Sequence, residues 1–190
     1  MDRMAQKAPK YQDSVQLYID SGVLPGGFLT AVLENNLMHA FSKADHNNTA
    51  MMREWAGWLY NYGHPNVFGS HEIVKQWHED GGLVGLAMIH YRGSRQTPAD
   101  GTASEVKVEW SQGPRGNWTD LEHIVHHSPT GMSWGYAGSG PADLAFSILS
   151  HHLSDDPAPA LYQAFKGAFV VGWGDEWKTT SQEISAWING

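Results

Sequence analysis

The sequence predicts an α+β protein: an N-terminal helical module over residues 11–82, then a small, mostly antiparallel sheet with C-terminal helices over residues 83–190. Three observations predict it. Apolar residues recur with a period near four as far as Gly81-Gly82. From Leu83 the pattern changes to short runs and strict alternation, and three helical signals close the chain. Residues 1–10 form a polar tail ahead of the first helix.

The elements follow in order. Tyr11 to Asp20 places Tyr11, Val15, Tyr18 and Ile19 at helical spacing, and Leu24-Pro25-Gly26-Gly27 breaks the chain. Leu29, Val32, Leu33, Leu37, Ala40, Phe41 and Ala44 then read as one apolar stripe on a second helix. After turn and cap residues at Asp45 to Asn48, a third helix carries Met51, Met52, Trp55, Trp58, Leu59 and Tyr62 on its buried side. Ser70 caps a fourth helix running through Trp77.

In the second part, Leu83 to Tyr91 is an apolar run suited to a central strand, and Ser94 to Thr102 is a polar loop with Pro98 and Gly101. Val106, Val108 and Trp110 alternate with Glu105, Lys107 and Glu109, as a half-buried strand requires. Further strands are expected at Leu121 to His126 and Met132 to Tyr136. Pro141 then opens a helix striped by Leu144, Ala145, Ile148 and Leu149. Leu161 to Val171 forms another, and Thr180-Ser181-Gln182-Glu183 is a capping box ahead of a last helix with Ile184, Trp187 and Ile188.

Composition narrows the function. With no cysteine among 190 residues, disulfide scaffolds, thiolate-ligated zinc and thiol nucleophiles are excluded. Nothing in the chain reads as a secretion signal or a membrane span, so a cytoplasmic protein is expected. The net charge of −8 divides as −3 over residues 1–83 (nine acids, six bases) and −5 over the rest (eleven acids, six bases), with no basic cluster in either part. Gripping a phosphate backbone needs clustered Lys and Arg, so nucleic-acid binding is disfavoured.

Three features could carry chemistry. Gly138-Ser139-Gly140 leads straight into the helix at Pro141, where free backbone N–H groups and the helix dipole can bind an anion, and Trp134 and Tyr136 upstream could stack on a base. The bland alternative is ordinary strand-to-helix punctuation, since the stretch matches neither the P-loop nor the dinucleotide fingerprint. Histidine is the second: His123, His126 and His127 lie within five residues, and His151-His152 follow. His127 is the candidate ligand contact or general base; no metal-ligand motif is present, and neither metal nor cofactor is expected. Ser128 and Ser139 lack a nucleophile elbow. The third feature is aromatic. A small helical module is not expected to bury Trp55, Trp58, Tyr60, Tyr62 and Trp77 completely, so Trp55, Trp58, Tyr62 and Trp77 mark a candidate surface for a partner or for self-association.

His127-Ser128-Pro129-Thr130-Gly131, Trp134-Gly135-Tyr136, Gly138-Ser139-Gly140-Pro141-Ala142, Leu144-Ala145 and Tyr162-Gln163-x-Phe165-Lys166 together resemble a domain of unknown function of bacterial, plasmid and phage proteins. The likeness runs from Tyr91-Arg92-Gly93 to the end, with Ala137 where that pattern has glycine. Gly26-Gly27-Phe28-Leu29, Ala31-Val32-Leu33, Ala44-Asp45-x-Asn47-Asn48 and Phe68-Gly69-Ser70 resemble a small phage or mobile-element protein. Both resemblances imply a phage setting. The expectation is a non-enzymatic inhibitor of a host defence, acting on a protein effector such as a CRISPR complex or on a small signalling nucleotide. An enzyme of phosphoester or nucleotide chemistry using His127 or His126 as general base or metal ligand, or an oligomeric interaction module, is the alternative.

Overall fold

The computed structural model describes residues 9, 12–96 and 104–190. The expected tail, apart from Pro9, lies outside them, as do Tyr11 and the loop residues 97–102. Nine α-helices and four strands are present among the described residues, with helices first, the sheet next and helices again at the end. The chain forms two compact units, Met1–Ala87 and Met88–Gly190.

The first unit is helical: α1 (Gln12–Ser21), α2 (Gly27–Leu33), α3 (Leu37–Lys43), α4 (His46–Tyr62), α5 (His71–Glu79) and α6 (Gly82–Ala87). Its core gathers Val15, Tyr18 and Ile19 from α1, Phe28, Leu29 and Leu33 from α2, and Trp55, Trp58, Val74 and Trp77 from α4 and α5. Caps set the helix starts: Asp45 accepts from Asn48 N–H at 2.7 Å, and Ser70 from Ile73 N–H at 3.3 Å. Each such cap stabilises its helix by about 0.5–2 kcal/mol.

Two sequence expectations change here. The single helix expected from Leu29 to Ala44 is two helices, because Asn35 turns left-handed at φ 57° and Asn36 caps the next helix by accepting from His39 N–H. Leu37 and Phe41, assigned to the stripe, consequently face solvent. The strand expected from Leu83 is instead α6, entered through the left-handed glycines Gly81 and Gly82, and the sheet begins only at Ile89. A short apolar run does not by itself distinguish a strand from a buried helical turn.

The second unit orders its sheet β3-β2-β1-β4, all antiparallel, from β1 (Ile89–Gln96), β2 (Glu105–Gln112), β3 (Thr119–Asp120) and β4 (Glu176–Thr180). Three helices complete it: α7 (Ser139–Leu153), α8 (Pro159–Ala168) and α9 (Ser181–Asn189). Alternation puts Tyr91 and Gly93 of β1, Val108 of β2 and Trp177 of β4 on one face, in one core with Leu144, Ile148 and Leu149 of α7. Residues Gly140 to Ser150 of α7 are all buried, so α7 is the central helix.

The strand expected at Leu121 to His126 does not form; pairing with β2 is confined to Thr119–Asp120, just before it. Beyond that pairing, side chains of α7 take the backbone donors that a neighbouring strand would have used. Ser147 Oγ accepts from Ile124 N–H, and the Asp143 carboxylate accepts from His126, His127 and Ser128. No strand forms at Met132 to Tyr136 either, where Gly131 and Gly135 have φ of 124° and 82°. The missing partner strand is β4, which sequence reasoning passed over. The capping box at Thr180 and Glu183 is formed as expected, and it begins α9 directly after β4.

Candidate functional site

The segment between β3 and α7 has almost no regular structure, and one carboxylate shapes it. Asp143, in the second turn of α7, is fully buried. Its Oδ1 accepts from His127 N–H at 2.7 Å, and its Oδ2 accepts from Ser128 N–H at 2.9 Å and His126 N–H at 3.1 Å. His123 Nε2 lies 3.1 Å from the same Oδ2. Burial acts to raise this carboxyl's pKa, but the four donors outweigh it and the group is held below the usual carboxylate range. The amides that converge in this segment are those of residues 126–128, not those of the Gly138-Ser139-Gly140 turn expected from the sequence, and they are filled from within by Asp143.

Of the three histidines, His123 faces that carboxylate, while the His126 and His127 rings pack edge-on against each other at 4.5 Å. His126 stacks on Phe146 with ring centroids 4.9 Å apart, and His127 Nε2 hydrogen-bonds the Tyr162 hydroxyl at 2.8 Å. Among the described residues no three His, Asp or Glu side chains are grouped as a metal ion would need.

Trp134 is also fully buried. Its Nε1 donates to Gly174 O at 2.6 Å, and its ring packs edge-on against Trp177. It therefore has no open face for a ligand base. Tyr136, the other expected stacking residue, is half exposed.

The Gly138-Ser139-Gly140 turn caps α7 as expected, with one difference in register. Gly138 is the cap residue, so Pro141 is the third helical residue rather than the first and removes one donor from the turn. The glycines seat Tyr136: a Cβ at Gly138 would stand 2.6 Å from the Tyr136 ring, and one at Gly140 would stand 3.1 Å from its hydroxyl oxygen.

Beside this turn opens a cleft of about 480 Å³. Ser128, Thr130, Ser133 and Tyr136 line it from the loop, Arg95 from β1, and Asp175 from the segment before β4. Arg95 is held firmly. Its Nη2 donates to Trp134 O at 2.7 Å and Ser133 Oγ at 3.2 Å, its guanidinium lies over the Trp134 ring at 4.7 Å, and Nη1 is 3.7 Å from the exposed Asp175 carboxylate. Of the residues singled out from sequence, Tyr136 lines the cleft, Gly140 backs it, Trp134 supports Arg95, and His127 is not part of the lining. Arg95 was missed; the available signal was a basic residue on the core-facing parity of a strand, shared with Tyr91 and Gly93.

In the helical unit, Trp55, Trp58 and Trp77 are each 3% exposed or less. Trp77 Nε1 donates to Tyr18 O at 3.0 Å, and Trp55 packs edge-on against Trp58. Tyr62 alone of that set is exposed, beside Tyr60 in the same helix. The tryptophans proposed as a partner surface are core.

The unit that holds the cleft is the one with a family likeness. The chain belongs to a family of unknown function, DUF6166, whose model matches residues 91–190. No curated protein and no solved structure matches it. Among the described residues no helix is long and apolar enough to cross a membrane.

Proposed function

We propose that the protein is a non-enzymatic binding protein that holds a small anionic ligand of the nucleotide class in the Arg95 cleft. The observation that carries this reading is a guanidinium fixed at the wall of a 480 Å³ cleft that is also lined by five hydroxyl-bearing residues, Ser104, Ser128, Thr130, Ser133 and Tyr136. Arginine presents a rigid fork of donors suited to phosphate, and hydroxyls complete such a shell without adding charge. Tyr136 offers an aromatic face at the rim. In a phage or mobile-element setting, withholding a signalling nucleotide would blunt a host defence; this setting comes from the sequence resemblance. Docking on a protein effector is the second reading, favoured by the exposed Leu37, Met38, Phe41 and Tyr60 of the helical unit.

Isothermal titration of the full chain against a panel of linear and cyclic nucleotides tests the first reading. Binding of at least one member is expected, with Arg95→Gln weakening it about a hundredfold, as loss of a positive charge and its charge-assisted hydrogen bond does. Because Arg95 also braces Trp134, Tyr136→Ala is measured beside it and is expected to weaken binding about tenfold while retaining the fold. Failure of the whole panel to bind, or equal binding by both variants, rules the reading out.

A further inference from the structure

The sheet of the second unit has another face, on the side away from α7. Strand register lines Lys178, Arg92, Glu109 and Asp120 in one row across β4, β1, β2 and β3. Two like-charged pairs are therefore directly opposite: Lys178 with Arg92, and Glu109 with Asp120. Such cross-strand pairs are destabilising. Glu109 relieves half of the problem. Its Oε2 accepts from Arg92 Nε at 2.9 Å and Nη2 at 2.8 Å, and its Oε1 takes Lys107 Nζ at 2.6 Å. Trp118 stacks on the Arg92 guanidinium at 3.9 Å. Lys178 has no such relief: among the described residues no carboxylate is paired with it. The row borders an open groove of about 670 Å³, lined by Arg92, Ser94, Lys107, Glu109, Glu176 and Lys178.

The geometry points to this groove as a docking site for an acidic, extended peptide segment of a protein partner, with carboxylates at alternate positions. Arg92 and Lys178 are neighbours across a strand pair, and Lys107 lies diagonally from Arg92, opposite Ser94. That diagonal spans about 7–8 Å. Alternate side chains of an extended peptide are about 6.8 Å apart. Two acids of one segment can thus address the Arg92–Lys178 pair and Lys107 together. Glu109 engages Arg92 only through Nε and Nη2, leaving Nη1 for a second acceptor. A continuous phosphate backbone fits less well, because Glu109, Asp120 and Glu176 share the face and would meet it repeatedly. Discrete side-chain carboxylates can pass between them. This face is separate from the Arg95 cleft, so either site can fail without the other.

Fluorescence anisotropy of a labelled peptide of alternating glutamate and serine, titrated with the full chain at low salt, tests the site. Lys178→Glu turns the repulsive pair into an attractive one; Lys75→Glu in α5 makes the same change in net charge within the helical unit and is the control. Binding is expected in the parent and in Lys75→Glu, at least tenfold weaker in Lys178→Glu. The thermal midpoint of Lys178→Glu should equal or exceed that of the parent. No peptide binding, equal loss in both variants, a lowered midpoint in Lys178→Glu, or tighter binding of an oligothymidylate than of the peptide would each overturn the proposal.

Discussion

At the scale of single residues, Asp143 is the group on which the second unit's irregular segment depends. Three backbone amides and one imidazole converge on a carboxylate with no exposure to solvent. Asparagine has the same shape but presents one oxygen and an NH2, so at least one buried N–H would face another donor. Asp143→Asn is therefore expected to cost about 2–4 kcal/mol, the range for breaking a buried charged hydrogen-bond set. Urea unfolding followed by tryptophan fluorescence measures this; a loss below about 0.5 kcal/mol would mean the loop is held elsewhere. Nothing local in the sequence marks Asp143 as this hub, since its partners lie 15 to 20 residues earlier in the chain.

Among the elements, β1 is the strand that both β2 and β4 use, and Gly93 is where β4 comes closest. A Cβ there would overlap Trp177 Nε1, in a ring that itself stacks on Trp173. Gly93→Ala must displace that ring, and a destabilisation of about 1–3 kcal/mol is expected from overpacking a filled core. Chemical denaturation checks it, and Gly57→Ala, exposed in the middle of α4 with open space around it, is the comparison of opposite sign, expected to stabilise by about 0.5–1 kcal/mol.

Legibility in the sequence followed the range of the interactions. Helix starts with local side-chain caps, at Asp45, Ser70 and Thr180, were readable because the whole signal spans four residues. The alternation of Val106, Val108 and Trp110 revealed β2 for the same reason. In contrast, Glu176–Thr180 contributes a single apolar residue, Trp177, and becomes a strand only because β1 is there to pair with it. Leu121 to His126 has the composition of a strand, yet α7 claims its donors first. The candidate site divides the same way. Tyr136 was visible beside the glycine turn, whereas Arg95 enters from more than 30 positions away.

For the molecule as a whole, titration sets the conditions under which the second unit holds. His90, His151 and His152 have lowered pKa values, in each case chiefly because burial disfavours the charged ring; a charge on His152 also lowers His151. The unfolded chain therefore takes up these protons first as pH falls. The stability contributed by the neutral rings is complete above about pH 6.5 and is lost as pH drops through their folded values. Asp143 adds a later loss, below about pH 3.9, because its folded pKa is also lowered. Differential scanning calorimetry should show a falling midpoint between about pH 7 and pH 5. A midpoint that rises over that interval would contradict the burial of these rings.

The seat of Tyr136 on Gly138 has a consequence for how such a chain can diversify. The phenol ring occupies the space where any other residue at 138 would begin its side chain, so a single added carbon acts as a wedge. Evicting the ring uncovers the first turn of α7 and redraws the rim of the neighbouring hollow, while Asp143, one turn further in, keeps the rest of the segment in place. One codon can thus alter what the mouth admits and leave the scaffold behind it standing.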